Sequence, residues 1–128
     1  MPETTVVFYC DENRVPVLDW LKELKRKDRQ GYAKCIARIR MLSQMGHELR
    51  RPLADYLDQG IYELRIRRGR VNYRILYFFH GQEVSVLTHA ITKEDQIPRG
   101  DLNRAVERKK GFEAKPALHS FEGDVTHG

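Results

Sequence analysis

The sequence predicts an α+β fold: two N-terminal helices packed on one face of a small, mostly antiparallel four-stranded sheet, plus a C-terminal helix. Three observations carry this. Apolar residues recur at helical spacing twice in succession in the first third of the chain. Three β-branched and aromatic runs then follow, joined by short glycine-containing connections. A proline opens a last amphipathic stretch after them.

The first element, Thr4 to Cys10, is β-branched and aromatic and reads as a strand. Asp11-Glu12-Asn13 breaks it, and Asn13 is the expected cap of the next helix, with Pro16 tolerated in its first turn. Val17, Leu18, Leu21 and Leu24 share one face, with Trp20 as a further core anchor. The polar stretch Lys25 to Gln30, followed by Gly31, separates this helix from a second. There Tyr32, Ile36, Ile39, Leu42 and Met45 make the buried face, Cys35 falls on the same stripe, and Gly46 stops the helix. His47 to Gly60 keeps no periodicity and reads as a loop punctuated by Pro52 and Gly60.

Ile61–Arg67, Val71–Phe79 and Glu83–His89 form a β-meander turning at Gly69 and Gly81. Pro98 starts the last helix, on which Leu102, Ala105 and Val106 are apolar. A single domain is expected over 1–112, with 113–128 a polar, flexible tail.

Composition limits the function classes. With 23 Lys+Arg against 18 Asp+Glu, the net charge is +5, which suits a polyanionic partner. No apolar run approaches the roughly 18 residues of a membrane span. The start lacks the basic and apolar regions of a signal peptide. Two cysteines fit neither a disulfide framework nor a zinc site. These features predict a cytoplasmic protein with no membrane partner, no metal and no cofactor.

Side chains two apart on a strand share a face. Pairing Ile66 with Val71, Leu64 with Tyr73 and Tyr62 with Ile75 makes one face wholly apolar, and this face receives the helices. The other then carries Glu63, Arg65, Arg67, Arg70, Asn72 and Arg74; a slip by one residue would bury four arginines. A two-residue turn at Gly81 places Val84, Val86 and Thr88 with Tyr73, Ile75 and Tyr77. It brings His89 to the arginine face, beside or diagonal to Arg74. Leu76, Phe78 and Leu87 lie at the far end of that face and need cover from the last helix, the tail or a partner.

Such a face suits RNA cleavage through the substrate's own 2′-OH. Arg65 and Arg74 would grip phosphate oxygens and stabilise the phosphorane. His89 titrates near neutrality and suits proton transfer, and Lys93 adds a cation or a base. Arg67, Arg68, Arg70 and Asn72, near the hairpin tip, are the candidate RNA contacts. The same pattern also fits a solvated or partner-binding surface, and a lone histidine such as His89 also fits a hydrogen-bonded structural role.

At these residues the chain resembles the phage-derived, HigB-like branch of the RelE/ParE toxin superfamily. The likeness spans Val6 to Phe112 and is densest from Gly60. It lies in Gly-x-Tyr-Glu-Leu-Arg (Gly60 to Arg65), Tyr-Arg-x-x-Tyr (Tyr73 to Tyr77), and Lys93 followed by Pro98 and a helix. The resemblance implies a RelE-like fold and a type II toxin of a toxin–antitoxin pair. Such a toxin is a metal-independent endoribonuclease that cleaves mRNA on the ribosome, and its antitoxin is often a helix-turn-helix protein. It matches Arg74 to a phosphate-stabilising arginine, Arg65 to a basic catalytic position, and Lys93 to the lysine after the last strand. Glu63 and Glu94 depart from the family pattern by replacing basic residues. The alternatives are a ParE-like DNA gyrase inhibitor, or a non-catalytic basic module binding an antitoxin or nucleic acid.

Overall fold

The structure is a computed structural model and describes residues 3–92 and 96–122. Its elements are β1 (Thr5–Tyr9), α1 (Pro16–Lys27), α2 (Arg29–Met45), a 3-10 turn (Gly46–Glu48), β2 (Ala54–Asp58), β3 (Ile61–Arg68), β4 (Val71–His80), β5 (Val84–Thr92), α3 (Arg99–Ala114), α4 (Pro116–His119) and β6 (Ser120–Phe121). The fold is α+β, but among the described residues the sheet has six strands, not the expected four, in the order β2-β3-β4-β5-β1-β6. It is mostly antiparallel; β1 alone runs parallel to its neighbour, β5.

The two extra strands flank the expected set. β2 lies in the segment read as a loop; it pairs with β3 from Ala54–Leu64 to Tyr56–Tyr62 before a register shift between Tyr56 and Asp58. β6 lies in the stretch read as tail, together with the end of α3 and all of α4. It pairs with β1 through Phe8–Phe121 and Tyr9–Ser120. His119 stacks on Tyr9 with centroids 5.1 Å apart, and its Nδ1 lies 2.9 Å from the Cys10 carbonyl oxygen.

The helix hairpin is tighter than its polar sequence implies. A single residue, Asp28, separates α1 from α2, and Gly31 lies inside α2. Asp28 caps α2 by accepting from the Gly31 N–H at 3.1 Å, and also accepts from Tyr73 Oη at 2.6 Å and Arg68 Nε at 2.5 Å. A Cβ on Gly31 would meet Asp28 Oδ2 at 2.3 Å and the Tyr73 ring at 2.7 Å, so only glycine fits this junction. The expected Asn13 cap is not made. Backbone bonds between Asp11 and Arg14 close a turn there, and Val15 stands at the cap with Pro16 following.

α1 and α2 cover one face of the sheet, burying Val17, Leu21, Leu24, Cys35, Ile39 and Leu42 against Leu64, Ile66, Tyr73, Ile75 and Tyr77. Trp20 is partly buried there, edge-on to Tyr73 at 5.7 Å. α3 covers the opposite face, where Ala105, Val106 and Phe112 pack on Leu76, Phe78 and Val86. The sheet is thus sandwiched between helices.

The strand faces follow the alternation, but the pairing differs from that expected. The β3–β4 hairpin is closed by Arg68 opposite Val71, giving a two-residue turn, Gly69-Arg70, with Gly69 at φ +62°. Ile66 therefore opposes Tyr73 and Leu64 opposes Ile75. A shift of two residues leaves every side chain on its expected face. The second hairpin has a three-residue connection, Gly81 to Glu83, and a bulge between Leu76 and Tyr77 that takes up Thr88. The odd-numbered connection reverses the faces of the first half of β5, and the bulge restores them beyond it. Val84 and Val86 pack under α3 and Leu87 joins the α1/α2 core, the reverse of the expectation for all three. His89, beyond the bulge, keeps its predicted face opposite Leu76.

Candidate functional site

On the α3 face, β3 and β4 bring two arginines directly opposite each other: Arg65 pairs with Arg74. Like charges so placed repel. Glu63 lies on the same face, one inward-facing position along β3 from Arg65, and binds both. Its Oε2 accepts from Arg65 Nε at 2.9 Å and its Oε1 from Arg74 Nη1 at 2.6 Å. Glu63 is 2% exposed, so its charge is sustained by these pairs. Asp55 on β2 extends the chain, with its Oδ2 3.1 Å from Arg65 Nη2 and 3.0 Å from Arg51 Nε. The acidic residue that departs from the family pattern therefore holds two guanidiniums together in fixed orientation. Each guanidinium carries five N–H donors, more than Glu63 and Asp55 engage.

This face is not open. The Arg74 side chain is 15% exposed and that of His89 11%, because α3 lies over the sheet. His89 sits diagonally from Arg74, since Arg74 opposes Ile91 and Leu76 opposes His89. Its Nε2 is 2.7 Å from Asp101 Oδ1 and its Nδ1 is 3.3 Å from Arg108 Nη1. Arginine can only donate, so Nδ1 is the acceptor and Nε2 carries the proton. Burial, reinforced by Arg108 and Arg104, holds the imidazole below its ordinary pKa, against the opposing pull of Asp101. His89 is thus neutral at neutral pH and ties α3 to the sheet. Arg108 also donates to the Thr88 carbonyl at 2.6 Å.

The expected RNA-contacting residues divide between two faces. Arg67 Nε donates to the Gly69 carbonyl at 3.0 Å, and Arg70 is exposed at the turn. Asn72 opposes Arg67 on the α3 face. Arg68 turns to the helical face and pairs with Asp28, so it belongs to the hairpin junction rather than to the arginine cluster. Lys93 and Glu94 lie outside the described residues.

Asp55, Asp101 and Arg108 complete the site, and alternation in β3 and β4 could not find them. Asp55 lies in the unrecognised strand, and the other two come from a helix whose docking no local pattern reports. Among the described residues, no group of three or more His, Cys, Asp or Glu is placed to hold a metal ion. No helix among them is long and apolar enough to cross a membrane.

Fold and cluster together define a class: a small basic α+β protein with helices on both sheet faces and a carboxylate-bridged arginine pair beneath its last helix. Residues 19–110 match the family model described as Phage derived protein Gp49-like (DUF891). The chain belongs to this family, within the RelE/ParE-like toxin superfamily, and membership is compatible with the toxin of a toxin–antitoxin pair. No curated protein matches the chain.

Proposed function

We propose that this chain is a type II toxin of the HigB-like branch that cleaves mRNA on the ribosome and is neutralised by a cognate antitoxin. The observation that carries the reading is the Arg65–Glu63–Arg74 bridge. It keeps two permanently charged, planar donors side by side on a rigid hairpin, as recognition of a phosphodiester requires. Glu63 sets their orientation and leaves each guanidinium with N–H donors to spare for the non-bridging oxygens. Charge developing on the phosphorane strengthens these bonds in the transition state. His89 and Lys93 are the proton-transfer pair: the Nε2 proton of His89, held by Asp101 in the free protein, leaves that hydrogen bond to reach the departing 5′ oxygen. Attack by the substrate's 2′-OH asks no covalent chemistry of the protein. A cytoplasmic location and a single toxin domain accompany this reading, the domain running past residue 112 to include β6.

The test is primer extension on mRNA from cells expressing the chain, alongside programmed ribosomes in vitro. Breaks confined to translated message support the proposal. Intact message with DNA damage would replace it by gyrase inhibition.

A further inference from the structure

A groove of about 460 Å³ opens at the β2 edge, on the side away from the arginine cluster. It falls within the range of small-molecule sites, about 300–1,000 Å³. Its walls carry His47, Tyr56 and Tyr62, and its rim carries Arg50, Arg51 and Asp55. Tyr56 is 52% exposed, one of few large apolar side chains so displayed among the described residues. Its ring is nonetheless held: the hydroxyl accepts from the Gly60 N–H at 3.0 Å, and the ring stands edge-on to Tyr62 at 5.1 Å. His47 is likewise fixed by stacking on Phe79 at 3.7 Å. An aromatic face held in place by neighbours loses little entropy when a second ring stacks on it.

The rim gives the groove its charge and direction. Arg50 and Arg51 outweigh Asp55, and the Arg51 side chain is 75% exposed. Asp55 bridges Arg51 to Arg65, so an ion-pair chain runs from the groove around the sheet edge to Arg74. Arg51 on the groove and Arg65 in the cluster share Asp55, so a strand turning around the β2 edge passes from Arg65 to Arg51 and the exposed Tyr56 ring.

We propose that this groove binds a base of single-stranded RNA stacked on Tyr56, with the adjoining phosphates on Arg50 and Arg51. The site rests on the nuclease reading and adds a base-holding position to it. Stacking is tolerant of base identity, so the slot anchors the strand rather than selecting a codon.

The experiment measures full-length protein with a fluorescein-labelled oligoadenylate of about nine nucleotides, within the usual span of single-strand sites. Tyr56→Ala should weaken binding about tenfold or more, since base–aromatic stacking is of that order. Tyr56→Phe keeps the ring and should bind within about threefold of wild type. Arg51→Ala should lower the salt dependence of binding by about one phosphate contact. Circular dichroism and the thermal midpoint verify folding, and Tyr56→Phe separates ring loss from loss of the Gly60 bond. Unchanged affinity in Tyr56→Ala overturns the site, as does a Tyr56→Ala defect in antitoxin binding alone, which would make the groove a protein contact. If Tyr56→Ala binds normally while Arg74→Ala loses cleavage, the groove fails and the nuclease stands. If wild type neither binds nor cleaves RNA, both readings fall.

Discussion

Arg74→Ala probes folding and function at one position. Alternation alone expects little loss of stability, because an arginine on an open sheet face contributes little. The structure changes that expectation. Arg74 is largely covered, and its Nη1 lies 2.6 Å from a carboxylate that is 3% exposed. Stranding an uncompensated buried charge costs about 3–5 kcal/mol. Glu63 retains Arg65 at 2.9 Å, so the loss is closer to that of one charge-assisted hydrogen bond, about 2 kcal/mol. For a chain of this length that lowers the thermal midpoint by roughly 6–10 °C. In a Glu63→Gln background the same truncation should cost less, leaving a coupling of about 1–2 kcal/mol. Calorimetry or urea titration of the four proteins supplies the cycle. Cleavage on programmed ribosomes, run well below every midpoint, supplies the functional half, with a loss of about 10²–10³ for Arg74→Ala. A stability loss under about 0.5 kcal/mol, or no coupling, would refute the bridge. Wild-type cleavage by a folded Arg74→Ala would remove Arg74 from the chemistry.

Two further predictions concern pH. The hydrogen bond from Tyr73, with that from Arg68 next, holds the Asp28 carboxyl at about 2, below its usual 3.8. A depressed carboxylate contributes stability above the unfolded value and loses it as the pH falls toward the folded one. Thermal midpoints from pH 5 to about 2 should therefore fall more steeply in wild type than in Asp28→Asn; parallel curves would contradict the junction. His89, kept neutral mainly by burial, resists a proton that the unfolded chain accepts near its usual 6.5. Acidification through that value should destabilise the protein and loosen α3, and His89→Gln should flatten the response, read by hydrogen exchange in α3 between pH 7 and about 5. Equal α3 protection across that range would show that His89 does not hold the helix.

Amphipathic periodicity was enough to place both N-terminal helices and the buried faces of β3 and β4. A two-residue error in pairing left those faces intact, because parity rather than register decides which way a strand residue points. That is why alternation puts Arg65 and Arg74 together, whereas His89 joins them because an extra turn residue and the bulge at Thr88 cancel. Parity failed in the first half of β5, because the connection from Gly81 to Glu83 has three residues rather than two, and the bulge at Thr88 restored it beyond. β2 escaped notice because an exposed edge strand has little apolar alternation to display, and β6 because two residues carry no pattern at all. The chain's own pattern thus determined the α+β class, the core stripes and the sidedness of the basic residues, all set by local spacing. Tertiary structure alone decided that α3 covers the arginine face, that Glu63 bridges the two guanidiniums, and that Asp28 joins the helix hairpin to β3 and β4. Those contacts join residues up to dozens of positions apart, and their geometry exists only once burial makes an unpaired charge too costly to leave.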